Sequence, residues 1–309
     1  MRSNYLFKVV IIGVFTLLYS LNLSAQTVRN ILIMTPWMAE PGTKTMVDDL
    51  QKSAKKQGWK TKIVTNSNGL VSTLNNAAIT HHLPDAIVIN VNTKDIIKAL
   101  KVAKQLNVPV FGLDSNASPY LASNVTSNSY TMATKTASYL VDHLPANKKS
   151  NVIMITFDGY PPVQKRGVVA RAIFNNSPNV NIVSTIQPDM KVGAVKSTEQ
   201  QIAKLLKTSK PGTISAIWAA WDQPALAAVD VINKLNKKNQ DIIVVGIDGT
   251  KKALAQINSH QGVQATVVQN FGAMAQKIIE LIKLESSKKI EFSSNYYIPA
   301  KLVTTKISS

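Results

Sequence analysis

Residues 87–114 read IVINVNTKDIIKALKVAKQLNVPVFGLD. A short run rich in Val and Ile is followed by a segment whose apolar residues recur at helical spacing, and a second Val-containing run ends the unit. Both short runs are almost continuously apolar, which is typical of strands buried on both faces of a parallel sheet. The stretch therefore predicts a strand, a crossover helix and a second parallel strand.

The same alternation extends over most of the chain. It is interrupted by a more polar stretch at 115–129, and this pause favours two α/β lobes over a single closed barrel. Each lobe is predicted to contain a doubly wound parallel sheet covered by helices. The predicted strands are 31–34, 62–65, 86–91, 108–113, 152–156, 180–185, 213–218, 242–247 and 263–269.

The composition excludes several classes of protein. The chain has 309 residues, of which 45% are hydrophobic and 17% charged, as in ordinary globular domains. It contains no cysteine, which removes disulfides, thiolate metal sites and cysteine nucleophiles. The sequence also lacks a P-loop, a serine hydrolase elbow and a zinc protease motif. We expect no metal and no cofactor.

The formal net charge is +18. Most of the basic residues are lysines that occur singly or in pairs, without an Arg-rich run. Solvated, lysine-covered helix faces are therefore the first interpretation, and nucleic acid is not expected as a partner. An anionic partner is the alternative that this charge leaves open.

Residues 1–25 read MRSNYLFKVVIIGVFTLLYSLNLSA. Basic residues, a short apolar run and small residues at the end form the tripartite pattern of a secretory signal peptide. The apolar run is about half the roughly 20 residues that a membrane span needs. Cleavage near Ala25 is therefore the prediction, and an uncleaved anchor helix is the alternative.

Polar and aromatic side chains follow many of the predicted strands. Asn90, Asp114 and Asp248 are polar examples, and Trp37 and Trp221 are aromatic ones. In open parallel sheets the ligand lies beyond the carboxyl ends of the strands. Carboxylates and amides bond to hydroxyl groups, and indoles present flat apolar faces to a sugar ring. The pattern predicts a site for a small polar ligand where the strand ends meet.

Three segments resemble the periplasmic sugar-binding proteins of the ribose-binding type: the unit at 87–114, the run AIWAAWDQPALAAVDVI at 216–232, and VVGIDGT at 244–250. Their order and spacing make the resemblance specific, and it covers essentially the whole chain after the signal. It implies the type I periplasmic binding protein fold, in which two doubly wound lobes are joined by a hinge of three crossovers.

The resemblance also implies where the lobes begin and end. The N-terminal lobe would comprise 26–126 plus 270–297, and the C-terminal lobe would comprise 127–269 plus 298–309. The lactose-repressor family shares this fold but begins with a DNA-binding helix-turn-helix, whereas residues 1–25 have the signal pattern.

The resemblance implies a set of ligand contacts, with three departures from the family pattern. Ser115 and Gln164 stand where the family has Arg, with Arg166 two residues beyond the second, and Trp221 stands where it has Asn. In the family those arginines form bidentate hydrogen bonds with sugar oxygens, so their absence argues against ribose as the ligand. The aromatic residues favour a flatter or larger ligand. The expected contacts are Trp37, Asn90, Asp114, Ser115, Tyr160, Gln164, Trp221, Asp222, Asp248 and Gln269.

Structural roles are the alternatives for several of these residues. Asp222 stands just before Pro224 and could cap a helix, Asp248 and Asp114 could shape turns, and Trp37 could be a core aromatic. Met190 is a further residue that could reach the ligand or fill a gap in the core.

The expected function is a periplasmic, non-enzymatic receptor that closes on a small ligand, a sugar or polyol first. Its partner would be an ABC permease in the cytoplasmic membrane, and a monomer is expected. Two alternatives stay open: a receptor that signals to a chemoreceptor or sensor kinase, and a hydrolase that uses carboxylates of the cleft.

Overall fold

The computed structural model describes residues 28–210, 212–235, 241–286 and 291–305. The predicted signal peptide lies outside these ranges. The strands within them are β1 (Asn30–Met34), β2 (Lys60–Val64), β3 (Ala86–Ile89), β4 (Val110–Leu113), β5 (Ser123–Thr126), β6 (Ser150–Ile155), β7 (Val180–Ile186), β8 (Ile214–Ala219), β9 (Ile243–Asp248), β10 (Val263–Val268), β11 (Asn295–Tyr297) and β12 (Lys301–Thr304).

Helices alternate with these strands, and one turn of 3₁₀ helix at Thr93–Ile96 leads into the third of them. No helix in the described ranges has both the length and the apolar character needed to cross a bilayer. The α-helices are α1 (Pro41–Lys56), α2 (Ser67–Ile79), α3 (Ile97–Gln105), α4 (Ser129–Asp142), α5 (Pro161–Asn175), α6 (Ala194–Thr208), α7 (Asp222–Lys234), α8 (Lys251–Asn258) and α9 (Phe271–Glu285).

The strands form two six-stranded sheets, in the orders β11-β5-β4-β3-β1-β2 and β12-β10-β9-β8-β6-β7. We call each sheet with its packed helices a lobe, the first lobe being the one that contains β1. The pairings are parallel, as predicted, except that the edge strand β12 runs antiparallel to β10. The prediction of two doubly wound α/β lobes is confirmed.

Strand β3 shows why these sheets are buried on both faces. Val88 packs with Met46 of α1 and Ile278 of α9. Its neighbours Ile87 and Ile89 point to the opposite face, into a separate cluster that contains residues of α2 and α3. A strand with two buried faces needs apolar residues at every position, which is why the sequence shows no alternation there.

Strand β5 departs from the prediction. It lies in the polar stretch 115–129, where the hydropathy pattern predicts a connection between the lobes. Its residues are nevertheless buried. Its polar side chains are satisfied internally: the Asn124 amide donates to Asn295 Oδ1 at 2.9 Å, and the Thr126 hydroxyl donates to Asp114 Oδ1 at 2.6 Å. Hydrogen bonding compensates the burial of these groups, and a hydropathy pattern does not show it.

The chain passes between the lobes after β5, after β10 and after β11. Helix α4 therefore packs against the second sheet, and α9 returns to pack on α1 in the first lobe. The carboxyl ends of the central strands of both sheets meet across the space between the lobes. A cavity lies there.

Candidate ligand-binding site

The cavity between the lobes has a volume of about 60 Å³. Both lobes supply its walls, largely from residues that follow strands or begin helices. The lining residues are Trp37, Glu40, Gly42, Thr43, Met46, Asp114, Phe157, Tyr160, Val163, Arg166, Met190, Trp221, Asp248, Gln269 and Phe271.

A buried cluster of charged groups lies at the back of the cavity. Arg166, on the inner face of α5, is 1% exposed. Its Nη1 lies 3.1 Å from Asp248 Oδ1 in the same lobe, and its Nη2 lies 4.0 Å from Asp114 Oδ2 in the first lobe. Nη1 also donates to the carbonyl oxygen of Ala220 at 2.9 Å. The guanidinium thus has a close carboxylate in its own lobe and a more distant one across the cavity.

Each of the two aspartates is oriented by a neighbour at the end of the adjacent strand. Thr126 ends β5 and donates to Asp114 at 2.6 Å, and Gln269 follows β10 and donates to Asp248 Oδ1 at 2.9 Å. Both aspartates have positive φ values, 52° at Asp114 and 137° at Asp248. A positive φ is uncommon outside glycine, and Asp tolerates it better than most residues.

The burial of Asp248 changes its acidity. Desolvation raises the pKa of Asp248 to about 7, against the lowering effects of the Arg166 guanidinium and the Gln269 hydrogen bond. The nearby carboxylates of Asp222 and Asp114 add to the rise. Near neutral pH the Asp248 carboxyl is therefore only partly ionised, although it lies beside a guanidinium.

Tyr160 joins the lobes at this end of the cavity. The Asn90 amide donates to the Tyr160 hydroxyl oxygen at 2.6 Å, and the hydroxyl donates to the carbonyl oxygen of Asp114. Burial is the main cause that raises the pKa of Tyr160 well above its ordinary value, so this hydroxyl stays protonated and remains a donor.

Aromatic rings form much of the remaining wall. Trp37 in the first lobe packs against Phe157 and Tyr160 in the second, with ring centroids 5.8 and 6.3 Å apart. Phe157 in turn lies 6.5 Å from Trp221. Trp37, Phe157, Tyr160 and Trp221 therefore make much of the cavity wall aromatic.

Glu40 forms a second contact between the lobes. It precedes α1, and its Oε2 accepts a hydrogen bond of 3.1 Å from the indole Nε1 of Trp221. With the Gln223 amide in the orientation that satisfies both of its groups, its nitrogen donates to the same carboxylate. Desolvation raises the pKa of Glu40, and the Trp221 hydrogen bond opposes that rise.

Gly42, in the first turn of α1, brings the lobes close together. A Cβ at this position would lie 3.0 Å from Asp248 Oδ2, tighter than ordinary van der Waals contact. The absence of a side chain therefore allows the first lobe to approach Asp248.

Three buried polar atoms on cavity-lining residues have no hydrogen-bond partner among the described residues: Trp37 Nε1, Arg166 Nε and Gln269 Oε1. They provide two donors and one acceptor, and unpaired buried groups of this kind are costly. Hydroxyl groups could satisfy all three. Within the described ranges, no group of three or more His, Asp or Glu side chains is placed to share a metal ion.

The family model for the periplasmic binding protein domain matches residues 31–289. This chain belongs to the periplasmic binding protein family. Among curated relatives, the ribose import binding protein of Haemophilus influenzae is 24% identical over 280 residues, covering 87% of this chain and 91% of the relative. The ribose import binding protein of Bacillus subtilis is 26% identical over 297 residues, covering 93% of this chain and 88% of the relative.

Solved structures of the same architecture support the fold of this periplasmic binding protein. An ABC transporter solute-binding protein from Agrobacterium vitis with bound allitol has a TM-score of 0.78 and 23% identity, over 90% of this chain and 96% of that one. A galactofuranose-binding protein has a TM-score of 0.80 and 18% identity, over 90% and 95%.

Most of the contacts expected from the sequence come together in this periplasmic binding protein. Asn90 lies behind the wall and reaches the cavity through Tyr160. Met190 also lines the cavity, whereas Trp218 is fully buried in the core. The expected residues that line the cavity are Trp37, Asp114, Tyr160, Trp221, Asp248 and Gln269.

Ser115 and Gln164 are expected contacts that do not line this cavity. The Ser115 hydroxyl donates to the carbonyl oxygen of Val91 at 2.5 Å, inside the first lobe. Gln164 lines a surface groove that also includes Gln187. It is two residues from Arg166, and two residues turn a helix by about 200°, so these side chains leave α5 on opposite faces.

Asp222 is a third expected contact that does not line this cavity. Its side chain is fully buried and accepts hydrogen bonds of 2.6 Å each from the Thr250 backbone N–H and the Thr266 hydroxyl. These hydrogen bonds stabilise the turn after β9, and Asp222 does not line the cavity. Nor does its side chain cap α7, because the N-cap position belongs to Trp221.

Glu40, Phe157 and Arg166 are cavity residues that the sequence analysis does not predict. A signal for Glu40 was present, since a carboxylate directly before Pro41 stands at the point where β1 gives way to a helix. To predict Arg166 as a cavity residue, one must know which face of α5 points towards the cavity.

Proposed function

We propose that this periplasmic binding protein captures a small polar ligand, with a sugar or a polyol as the leading class, and delivers it to an ABC importer. Its curated relatives are named for ribose import, and the solved relatives include proteins with bound allitol and D-allose. Ser115 stands where the ribose-binding type has an arginine, which argues for a ligand other than ribose, whereas Arg166 supplies a guanidinium to the cavity from α5.

The observation that carries this proposal is that both lobes build the cavity and touch across it. Glu40 meets Trp221, Trp37 meets Phe157, and Asn90 meets Tyr160. A ligand held between these walls contacts both lobes only when they are together. It therefore binds the closed form more tightly, and that difference in affinity shifts the population towards closure.

The described geometry corresponds to a tightly closed form. The cavity volume of about 60 Å³ is below the roughly 300–1000 Å³ of common ligand pockets. We propose that the lobes separate to admit the ligand and then close less completely on it. Asp114 and Asp248 accept from its hydroxyls, and the indole of Trp37 packs against its ring.

The sequence pattern and the family resemblance support a further part of the proposal. We propose that 1–25 export the chain to the periplasm, that it acts as a monomer, and that it catalyses no reaction. The two moving bodies would be 26–126 plus 270–297 and 127–269 plus 298–309, hinged at the three passages between lobes.

Thermal unfolding and small-angle scattering with D-ribose, D-allose and allitol test the proposal. A bound ligand at about 100 times its dissociation constant adds about 2.7 kcal/mol of stability. We expect at least one of these compounds to raise the melting temperature, alter the scattering profile and be recovered chemically unchanged.

Two glutamine variants provide matched controls. Gln269→Ala should weaken the binding of that compound, whereas Gln164→Ala, which changes a residue outside the cavity, should not. A flat response to all three compounds, or recovery of a converted product, would contradict the proposal.

A further inference from the structure

The cavity is acidic although the chain is strongly basic. The sequence contains 35 Lys and Arg against 17 Asp and Glu. Among the described lining residues, however, the charged ones are Glu40, Asp114, Asp248 and Arg166. The lysines are distributed elsewhere, so the excess of carboxylates at the cavity runs against the overall composition.

The guanidinium of Arg166 is already engaged. It pairs with Asp248 at 3.1 Å, approaches Asp114 at 4.0 Å and donates to the carbonyl oxygen of Ala220. Its side chain is 2% exposed, so it cannot turn towards a distant partner without leaving two carboxylates uncompensated. One guanidinium therefore serves two carboxyl groups at the back of the cavity.

Glu40 has neutral hydrogen-bond partners instead of a cation. They are the indole nitrogen of Trp221 and the amide of Gln223. None of the ion pairs found among the described residues includes Glu40. A partly buried carboxylate gains most from a positively charged partner, because attraction between charges is strong away from water.

The aromatic wall next to Glu40 suits the same kind of partner. Trp37, Phe157, Tyr160 and Trp221 line the space and pack against one another. The face of an aromatic ring carries partial negative charge. Organic ammonium groups bind such faces, Trp most strongly. Carboxylate and ring faces both attract positive charge here.

We propose that the ligand carries a protonated amine, which lies between Glu40 and the aromatic wall. This inference rests on the proposed receptor function and specifies its ligand. Two sources share the chemistry: an amino sugar, whose hydroxyls would use Asp114 and Asp248, and a compact alkylammonium compound, which suits the small volume of the cavity.

Isothermal titration calorimetry with two matched pairs tests the inference on the full mature chain. The first pair is D-glucosamine and D-glucose, and the second is choline and its neutral isostere 3,3-dimethylbutan-1-ol. We expect the amine to bind at least tenfold more tightly than its neutral counterpart in at least one pair.

Variants at Glu40 connect this preference to the proposed contact. Glu40→Gln should abolish the preference for the amine, and Glu40→Asp, which keeps the charge, should retain part of it. Glu199→Gln is the matched control, because Glu199 forms its ion pair with Lys234 away from the cavity. That variant should keep the full preference.

The possible results separate the inference from the proposed function. Equal binding within both pairs overturns the inference, and binding of D-glucose as tightly as D-glucosamine then leaves a sugar receptor in place. A preference in the choline pair alone supports the inference and contradicts the sugar or polyol class. No binding by any of the four compounds overturns the inference, and the test with D-ribose, D-allose and allitol then decides the proposed function separately.

Discussion

The two lobes place equivalent carboxylates at the cavity but balance their charges differently. In each sheet an aspartate follows or ends the fourth strand of the lobe, Asp114 after β4 and Asp248 at the end of β9. Each accepts a hydrogen bond from a residue at the end of the next strand. The second lobe, however, also supplies Arg166, 3.1 Å from its own aspartate and 4.0 Å from the other.

This difference shows which wall depends on closure. The Arg166–Asp248 pair lies within one lobe, so the proposed separation of the lobes would keep it. The approach of Arg166 to Asp114 joins the lobes, so the same motion would break it. In the proposed cycle the second lobe is therefore organised in advance, whereas Asp114 gains a nearby positive charge only on closure.

Removal of Arg166 should have the largest effect on this arrangement. Arg166→Leu leaves two buried carboxylates without their cation, and breaking a buried pair in this way costs about 3–5 kcal/mol. Urea unfolding followed by circular dichroism should show that loss. Arg171→Leu, a change at an exposed position of the same helix, should alter stability by less than about 0.5 kcal/mol. Similar losses in both variants would contradict the central role of Arg166.

The pKa of Asp248 makes stability depend on pH in a defined direction. Because its folded pKa is raised to about 7, the folded state binds the proton more tightly than the unfolded chain does. This contribution is complete below about pH 4 and is lost as the pH rises to about 7, with a total on the order of 2–4 kcal/mol. The stability of the wild type minus that of Asp248→Asn should therefore decrease from pH 4 to pH 8. A constant difference would show that Asp248 titrates normally.

Replacing each aspartate by asparagine compares the two walls directly. The raised pKa of Asp248 means that its site disfavours the ionised carboxylate, so Asp248→Asn should raise the free energy of unfolding at pH 8 by about 1–3 kcal/mol. Asp114→Asn should lower it by less than about 1 kcal/mol, because its ionic contact is longer and formed across the lobes. Changes of the same sign and size in parallel denaturation curves would show that the walls do not differ.

The smallest expected effect concerns the contact between Glu40 and Trp221. Trp221→Phe keeps an aromatic ring but removes the indole donor of a hydrogen bond that joins the two lobes, and water can reach the Glu40 carboxylate once the lobes part. We expect stability to change by less than about 0.5 kcal/mol, and scattering without ligand to show a larger share of open molecules. A scattering profile identical to that of the wild type would exclude a latching role for this contact.

The sequence predicts the lobes well because apolar strands buried on both faces leave a clear pattern, as in β3. It does not predict β5, because that strand contains polar residues whose burial depends on hydrogen bonds. Asn124 donates to Asn295, and Thr126 donates to Asp114. The site is predicted where strand ends carry it, at Asp114 and Asp248. The sequence does not show which side chains of α5 face the cavity, so it does not predict that Arg166 lines the cavity and Gln164 does not. Nor does it show that the Asp222 carboxylate accepts a hydrogen bond from the turn after β9.

The closeness of Gly42 to Asp248 has a consequence for how such a receptor could change over generations. A methyl group at this position would hold the lobes apart by a few tenths of an ångström. Cargo residence time could thus be altered through spacing alone, with every hydrogen-bonding side chain left as it is. A substitution at position 42 alone would then change the balance between retaining and releasing the ligand.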